Sequence, residues 1–201
     1  MSEPGRARGG GDAHPLRILE RWFAEARERG VADPTRVAFV TASAAGEPSA
    51  RTVQLKRFEQ ESLLFTSTLY TRKARELAEN PRVALLFHWP AAERQVHITG
   101  AAELAERSLA RELFDERELV RRVQTIASRQ GAPIDDLEQV RARHAHLMHT
   151  LEAPPECPED WGAIRVTPAS VELMTEAPDR IHERALWLRE GDGWSRSLLS
   201  P

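Results

Sequence analysis

Residues 36–56 read RVAFVTASAAGEPSARTVQLK, and this stretch decides the fold. Arg36–Ser43 is a β-type run rich in Val, Phe and Thr, Ala44-Ala45-Gly46-Glu47-Pro48 is turn chemistry, and Ala50–Lys56 is a second β-type run. So short a connection joins antiparallel neighbours, because a parallel pair needs a crossover of about a dozen residues or more. Working outward, Ser62–Ser67, Val83–Trp89 and Arg94–Leu104 extend the pattern. Val83–Trp89 is almost wholly apolar, which predicts a strand buried on both faces. After a helical stretch, Trp161–Val166, Val171–Met174, Arg184–Arg189 and Trp194–Leu199 return to β, the last two joined by the turn Glu190-Gly191-Asp192-Gly193.

The helices are peripheral to this sheet. Leu16, Leu19, Trp22, Phe23 and Ala26 follow helical spacing between Pro15 and Gly30. Thr71 opens a short helix that Asn80-Pro81 ends, and Glu106 to about Thr150 holds two or three more, broken at Gly131-Ala132-Pro133. The prediction is an α+β fold: an antiparallel sheet of six to eight strands closed into a barrel, which removes exposed edges. Residues 1–13 are glycine- and arginine-rich and read as a disordered tail, leaving 14–201 as one domain.

A net charge of −3 with no basic stripe argues against a nucleic-acid partner and favours a small polar ligand. Cys157 is the sole cysteine, so no intrachain disulfide or cysteine-cage metal site can form, and a reducing, cytoplasmic location is expected. No apolar run approaches the roughly 20 residues that span a bilayer, and no secretion signal is read at the N-terminus. His144, His146 and His149 cannot converge on a metal from one helix, since residues two apart point about 200° apart. The five tryptophans, irregularly spaced, read as core and interface packing.

Thr71-Arg72-Lys73 carries a chemical signal. Two cations in the first turn of a helix oppose its partial positive charge, and a phosphate held by free N–H groups, the Thr71 hydroxyl and both side chains would resolve the conflict. Along the strand, Arg51, Val53 and Leu55 share one face while Thr52, Gln54 and Lys56 share the other. Arg180, His182 and Arg184 align on one side if that segment is extended, a second sign of an anionic partner.

Taken together, PSARTVQLK, FTSTLYTRKARELAENPRVALLFHW, ERQVHITG, IASRQ, RIHER and the closing GW.....L.P resemble the pyridoxine/pyridoxamine 5′-phosphate oxidase family, in chain order over more than nine-tenths of the sequence. The resemblance implies a split β-barrel that works as a homodimer, with FMN in a groove at the subunit interface. It implies that Arg51, Thr52, Val53, Gln54, Leu55 and Lys56 line the flavin, followed by Thr66 and Ser67, and that Arg72 and Lys73 take the FMN phosphate. Gln95 corresponds to a glutamine beside the flavin ring, Gln130 to one that reaches across from the other subunit, and Arg184 to a further flavin contact. For the substrate it carries over Lys56 and Arg117 to the phosphate, and Arg180 and His182 to the ring and its reacting carbon, as catalytic residues.

The implied reaction oxidises pyridoxamine or pyridoxine 5′-phosphate to pyridoxal 5′-phosphate by hydride transfer to the flavin, with O₂ as acceptor and hydrogen peroxide as product. Four positions depart from the family: Leu113 and Arg121 stand where a tyrosine and a serine bind phosphate, Met174 where a tryptophan meets the flavin, and Gly131 where a serine follows the glutamine. Arg121, four residues beyond Arg117, would add a third cation to the substrate's anion site if both lie on one helix. The alternatives are a flavin oxidase of another small ring, similar to those of phenazine pathways, or a flavin-binding protein without turnover. Retention of Arg180 and His182 favours an enzyme.

Overall fold

The computed structural model describes residues 14–201; the expected disordered tail, residues 1–13, lies outside the described residues. Helix α1 (Pro15–Glu28) begins on a proline, whose missing N–H is no loss in a first turn. It buries Leu16, Leu19, Phe23 and Ala26 and ends at Gly30, whose φ of +85° suits a residue without a Cβ. The strands follow as β1 (Arg36–Ala42), β2 (Pro48–Gln54), β3 (Arg57–Glu59), β4 (Ser62–Thr68), β5 (Arg82–Trp89), β6 (Arg94–Leu104), β7 (Trp161–Thr175), β8 (Glu183–Glu190) and β9 (Gly193–Leu199). Helix α2 (Arg72–Glu79) precedes β5, and α3 (Arg107–Asp115), α4 (Leu119–Ala127) and α5 (Leu137–Thr150) lie between β6 and β7.

All pairings are antiparallel, in the order β2-β1-β5-β6-β7-β4-β3, with β8 and β9 added along β7. The link from β2 to β3 draws the ends together: Leu55 N–H donates to Thr35 O and Lys56 N–H to Leu64 O. The sheet is thus curled into a split barrel of the α+β class, with the helices outside it. Within it Phe23 meets Phe58, Phe87 and Trp89 edge-on, and Phe39 meets Phe65 the same way. Trp89, Trp161 and Trp187 are buried.

Three sequence expectations need correction. Strand β5 is buried on one face only: Val83, Leu85, Phe87 and Trp89 enter the core, whereas Leu86 and His88 are exposed. The nine strands among the described residues exceed the expected six to eight, partly because β3, Arg-Phe-Glu, carries no apolar alternation. Most informative is β7, which runs unbroken through Pro168 where two strands were expected. Pro168 lies opposite Gly100 at a register shift in β6, and bulges tolerate a residue that cannot donate to the ladder. A Cβ on Gly100 would stand 2.2 Å from Thr167 O, so only glycine fits this crossing.

Helix α5 buries none of its residues and carries the three histidines, of which His144 bonds Val120 O. Among the described residues no cluster of His, Cys, Asp or Glu could hold a metal ion, and no helix is long and apolar enough to cross a membrane.

Candidate active site

A cleft of about 530 Å³ is lined by residues of β2, β4, α2, α4 and the chain between them. Thr52, Val53, Gln54 and Lys56 reach it from β2 and its end, Thr66 and Ser67 from β4, and Lys73, Arg117 and Gln130 are the other expected residues that line it. Arg51 and Arg72 line an adjoining recess of about 320 Å³, which shares Tyr70, Lys73 and Gln130 with the cleft. Leu55 is the exception on its strand, with its side chain in the core. Gln130 belongs to the cleft of its own chain: its carboxamide oxygen accepts from Thr68 Oγ1 at 3.1 Å, and its N–H donates to Tyr70 Oη at 3.1 Å.

One corner is built around Lys73 and Glu76, both buried in α2. Lys73 is 7% exposed, yet the nearest acceptor to Nζ is Thr71 Oγ1 at 3.5 Å. Burial, with Arg51 adding repulsion, pulls its pKa down to about 8. Glu76 was not foreseen as a site residue. Its Oε2 accepts from Thr41, Ser49 at 2.5 Å and Arg51 at 3.5 Å, and its Oε1 from Arg72 Nε at 2.7 Å. Burial raises the pKa of such a carboxyl, but the hydrogen bonds from Ser49, Thr41 and Arg72 outweigh it and hold Glu76 at about 2. Glu76 therefore stays ionised and fixes both arginines. The Thr71 hydroxyl, expected to face an anion, instead donates to Thr68 O at 2.8 Å.

The opposite corner gathers Lys56, Arg117 and Arg121. Arg117 precedes α4 rather than sharing it with Arg121, so helical spacing is not what brings them together. Arg117 stacks 5.4 Å from the rings of Phe114 and Trp161 and donates to Thr125 Oγ1 at 2.7 Å. Arg121 donates to Gln54 Oε1 at 2.8 Å. Burial lowers the pKa of Lys56 and Arg117, and Arg121 is the next cause in both cases. Leu113 takes no part in the cleft; it is buried among Ala110, Phe114 and Trp161. Gly131 lines the adjoining recess at a φ of +79°, a left-handed position that suits glycine.

Gln95, Arg180, His182 and Arg184 do not line the cleft. Gln95 pairs with Met174 and Met174 with Arg184 across β6, β7 and β8, so these three share one row of the sheet. Arg184 Nε donates to Glu172 Oε1 at 2.8 Å. Arg180 and His182 precede β8 in a turn, not in the extended run that would align them with Arg184. Arg180 has a φ of +70°, an uncommon conformation for a side-chain-bearing residue that costs on the order of 1 kcal/mol. Ala177 N–H donates to His182 Nδ1 at 3.1 Å, which leaves the proton of the neutral imidazole on Nε2.

Residues 23–150 match the family model described as pyridoxamine 5′-phosphate oxidase, and residues 161–201 the pyridoxine 5′-phosphate oxidase C-terminal dimerisation region. A pyridoxine/pyridoxamine 5′-phosphate oxidase of Rubrobacter xylanophilus is 39% identical over 98% of this chain and 91% of its own. One of Gluconobacter oxydans is 35% identical over 94% and 95%. Among solved structures, PhzG from Burkholderia lata 383, in complex with tetrahydrophenazine-1-carboxylic acid, superposes with a TM-score of 0.88 at 28% identity, covering 96% of this chain and 95% of that one. A pyridoxamine 5′-phosphate oxidase-related, FMN binding protein from Nostoc punctiforme shares the fold, with a TM-score of 0.79 at 17% identity over 95% of this chain and 100% of that one.

Proposed function

The chain belongs to the pyridoxine/pyridoxamine 5′-phosphate oxidase family, a family of oxidoreductases, and from that premise we propose that it is a cytoplasmic, homodimeric, FMN-dependent oxidase converting pyridoxamine or pyridoxine 5′-phosphate to pyridoxal 5′-phosphate. The observation that carries the cofactor is Lys73: a buried ammonium beside two arginines, with no carboxylate of its own among the described residues, at the first turn of a helix. That donor set fits a phosphate monoester, which supplies the missing negative charge and acceptor oxygens. Arg51, Arg72 and Lys73 would hold the FMN phosphate there, with Thr66 and Ser67 nearby, and the flavin would supply a two-electron acceptor that O₂ reoxidises to give hydrogen peroxide.

The residues of this chain do the rest. Lys56 and Arg117 hold the substrate's phosphate, fixing the ring in the cleft, and Arg117 is kept in place by its stacking on Phe114 and Trp161. Arg180 and His182 address the substrate ring, and His182, whose Nε2 carries the ring proton, orients it as a hydrogen-bond donor, the proton lost on oxidation passing to solvent. Since neither lines the cleft of its own chain, their part in one site is best met by the second protomer, together with Gln95 and Arg184. The match of residues 161–201 to a dimerisation region supports this arrangement.

The experiment is anaerobic mixing of FMN-loaded protein with pyridoxamine 5′-phosphate while the oxidised flavin band is followed. Bleaching, reversed by air with hydrogen peroxide formed, is expected; a persistent band overturns the reading. One observation favours a second reading, oxidation of another anionic ring: Leu113 brings no hydroxyl to the cleft. Under that reading a cyclic carboxylate bleaches the flavin and the vitamin phosphate does not.

A further inference from the structure

We propose that Asp33 and Gln54 position Arg121 as a third cation of the substrate-anion subsite, so that the cleft selects a doubly charged phosphate ester over a singly charged carboxylate. The inference rests on the proposed function only in taking this cleft as the place where substrate binds.

The geometry is a short relay. Asp33 is fixed by Thr35, whose N–H donates to Oδ1 at 3.1 Å and whose hydroxyl donates at 2.5 Å. Its Oδ2 accepts from Gln54 Nε2 at 2.7 Å. That bond settles which way the carboxamide faces. Its oxygen points to Arg121, at 2.8 Å from a guanidinium nitrogen, and to Lys56 Nζ at 3.4 Å. In the flipped amide, N–H donors would face two cations and the oxygen would face a carboxylate, so all three contacts would turn repulsive. Asp33 thus acts on Arg121 through Gln54, and because it also lines the cleft its charge acts on Lys56 as well. Hydrogen bonds from Thr35 and Gln54 overcome the effect of burial and keep the Asp33 carboxyl below its ordinary pKa, so it remains an acceptor.

Selectivity follows from what is missing around the cations. Among the described residues neither Lys56 nor Arg117 has a carboxylate at ion-pair distance, and Arg121 has only Glu118, 3.6 Å away on a side chain that is 75% exposed. Gln54 offers a neutral oxygen, which orders the cations without cancelling them. Coulomb attraction scales with the charge of the guest, so the third cation raises the affinity of a dianion by the square of the factor it gives a monoanion. Arg121 is itself 48% exposed, and solvent screening keeps that factor modest.

The test titrates FMN-loaded protein, its cofactor phosphate site already filled, with pyridoxal 5′-phosphate and with a pyridine carboxylate at pH 8, reading the flavin spectrum. Arg121→Ser is expected to weaken the phosphate ester about tenfold and the carboxylate about threefold, while Arg121→Lys keeps most of the wild-type preference. Gln54→Leu and Asp33→Asn should each weaken the phosphate ester about threefold, and in the Arg121→Ser background most of that loss should vanish, leaving only the part that Gln54 exerts through Lys56. An unchanged affinity in Arg121→Ser, an equal loss for both ligands, or additive losses in the double variants would overturn the proposal. Bleaching by pyridoxamine 5′-phosphate is a separate signal in the same cuvette: its absence, with the tenfold loss intact, counts against the proposed reaction and for the subsite.

Discussion

The two charged corners of the cleft are built on opposite principles. Around Lys73, the cations Arg51 and Arg72 are anchored by the buried carboxylate of Glu76, and among the described residues the ammonium has no charged partner. Around Lys56, among the described residues, no buried carboxylate pairs directly with Lys56 or Arg117; a neutral amide backed by Asp33, a threonine hydroxyl and two aromatic rings hold the side chains, with only the exposed Glu118 near Arg121. The first corner is ordered before any ligand arrives, as suits a cofactor that stays. The second keeps its positive charge in reserve, as suits a substrate that must come and go.

The sharpest way to break this contrast is to remove both cations at the head of α2. Arg72→Ala with Lys73→Ala deletes two charge-assisted bonds, worth about 1.5–3 kcal/mol each, so FMN should weaken by about 3 kcal/mol or more, with Arg72 giving less because it is exposed. Fluorescence titration of FMN measures this, and unchanged affinity removes the phosphate assignment.

Next in size is Glu76→Ala, which leaves the largely buried Arg51 bonded to Phe39 O, Thr41 and Ser49 but without its carboxylate, and should cost about 3 kcal/mol of folding stability, read from denaturant midpoints. The same change at Asp33, whose partners are partly exposed, should cost far less. Acid provides an independent check. Glu76 titrates near 2 in the fold and at 4.5 in the free side chain, so its contribution is complete above about 4.5 and is lost as pH falls towards 2. The Ala variant should lack this part of the acid transition.

The smallest effect is also the most selective. Lys73 has a pKa near 8 in the fold against 10.5 when free, so the apo fold disfavours its charged form, and apo stability from this group rises between pH 8 and 10.5. Phosphate binding requires the charged form. FMN affinity should therefore drop up to tenfold per pH unit above about 8, and Lys73→Met should flatten that slope. An equal slope in both proteins would place the titration elsewhere.

Much of this architecture is readable in the sequence because antiparallel strands announce themselves by short turn-bounded runs, as Arg36–Lys56 does. Arg72 and Lys73 are also legible, since cations at the start of a helix oppose its dipole wherever the fold puts them. Glu76 could have been found from its i, i+4 spacing to Arg72, but its bonds to Thr41 and Ser49 come from strands 27 to 35 residues away. Asp33 had only the local signature of an Asp-Pro-Thr turn, and nothing local says that Gln54 will meet it. Leu86 and His88 on β5 misled the reading because a run that is mostly apolar hides the alternation that tertiary packing imposes. Pro168 did so because its tolerance depends on a glycine in a different strand.

Strand β7 has a consequence for how the molecule is made. One edge of it pairs with β6; the other pairs first with β4 and then with β8. Until β7 emerges from the ribosome, β3 and β4 form one isolated hairpin, and β2, β1, β5 and β6 form a separate four-stranded sheet. Before Trp161 no strand ladder therefore joins the two pieces, which meet only through the β2–β3 link and the packing of Phe39 on Phe65 and of Phe23 on Phe58, and β7 completes the barrel last. Nascent chains arrested before Trp161 should be held by chaperones that recognise unpaired strands, whereas chains arrested after Thr175 should already resist protease.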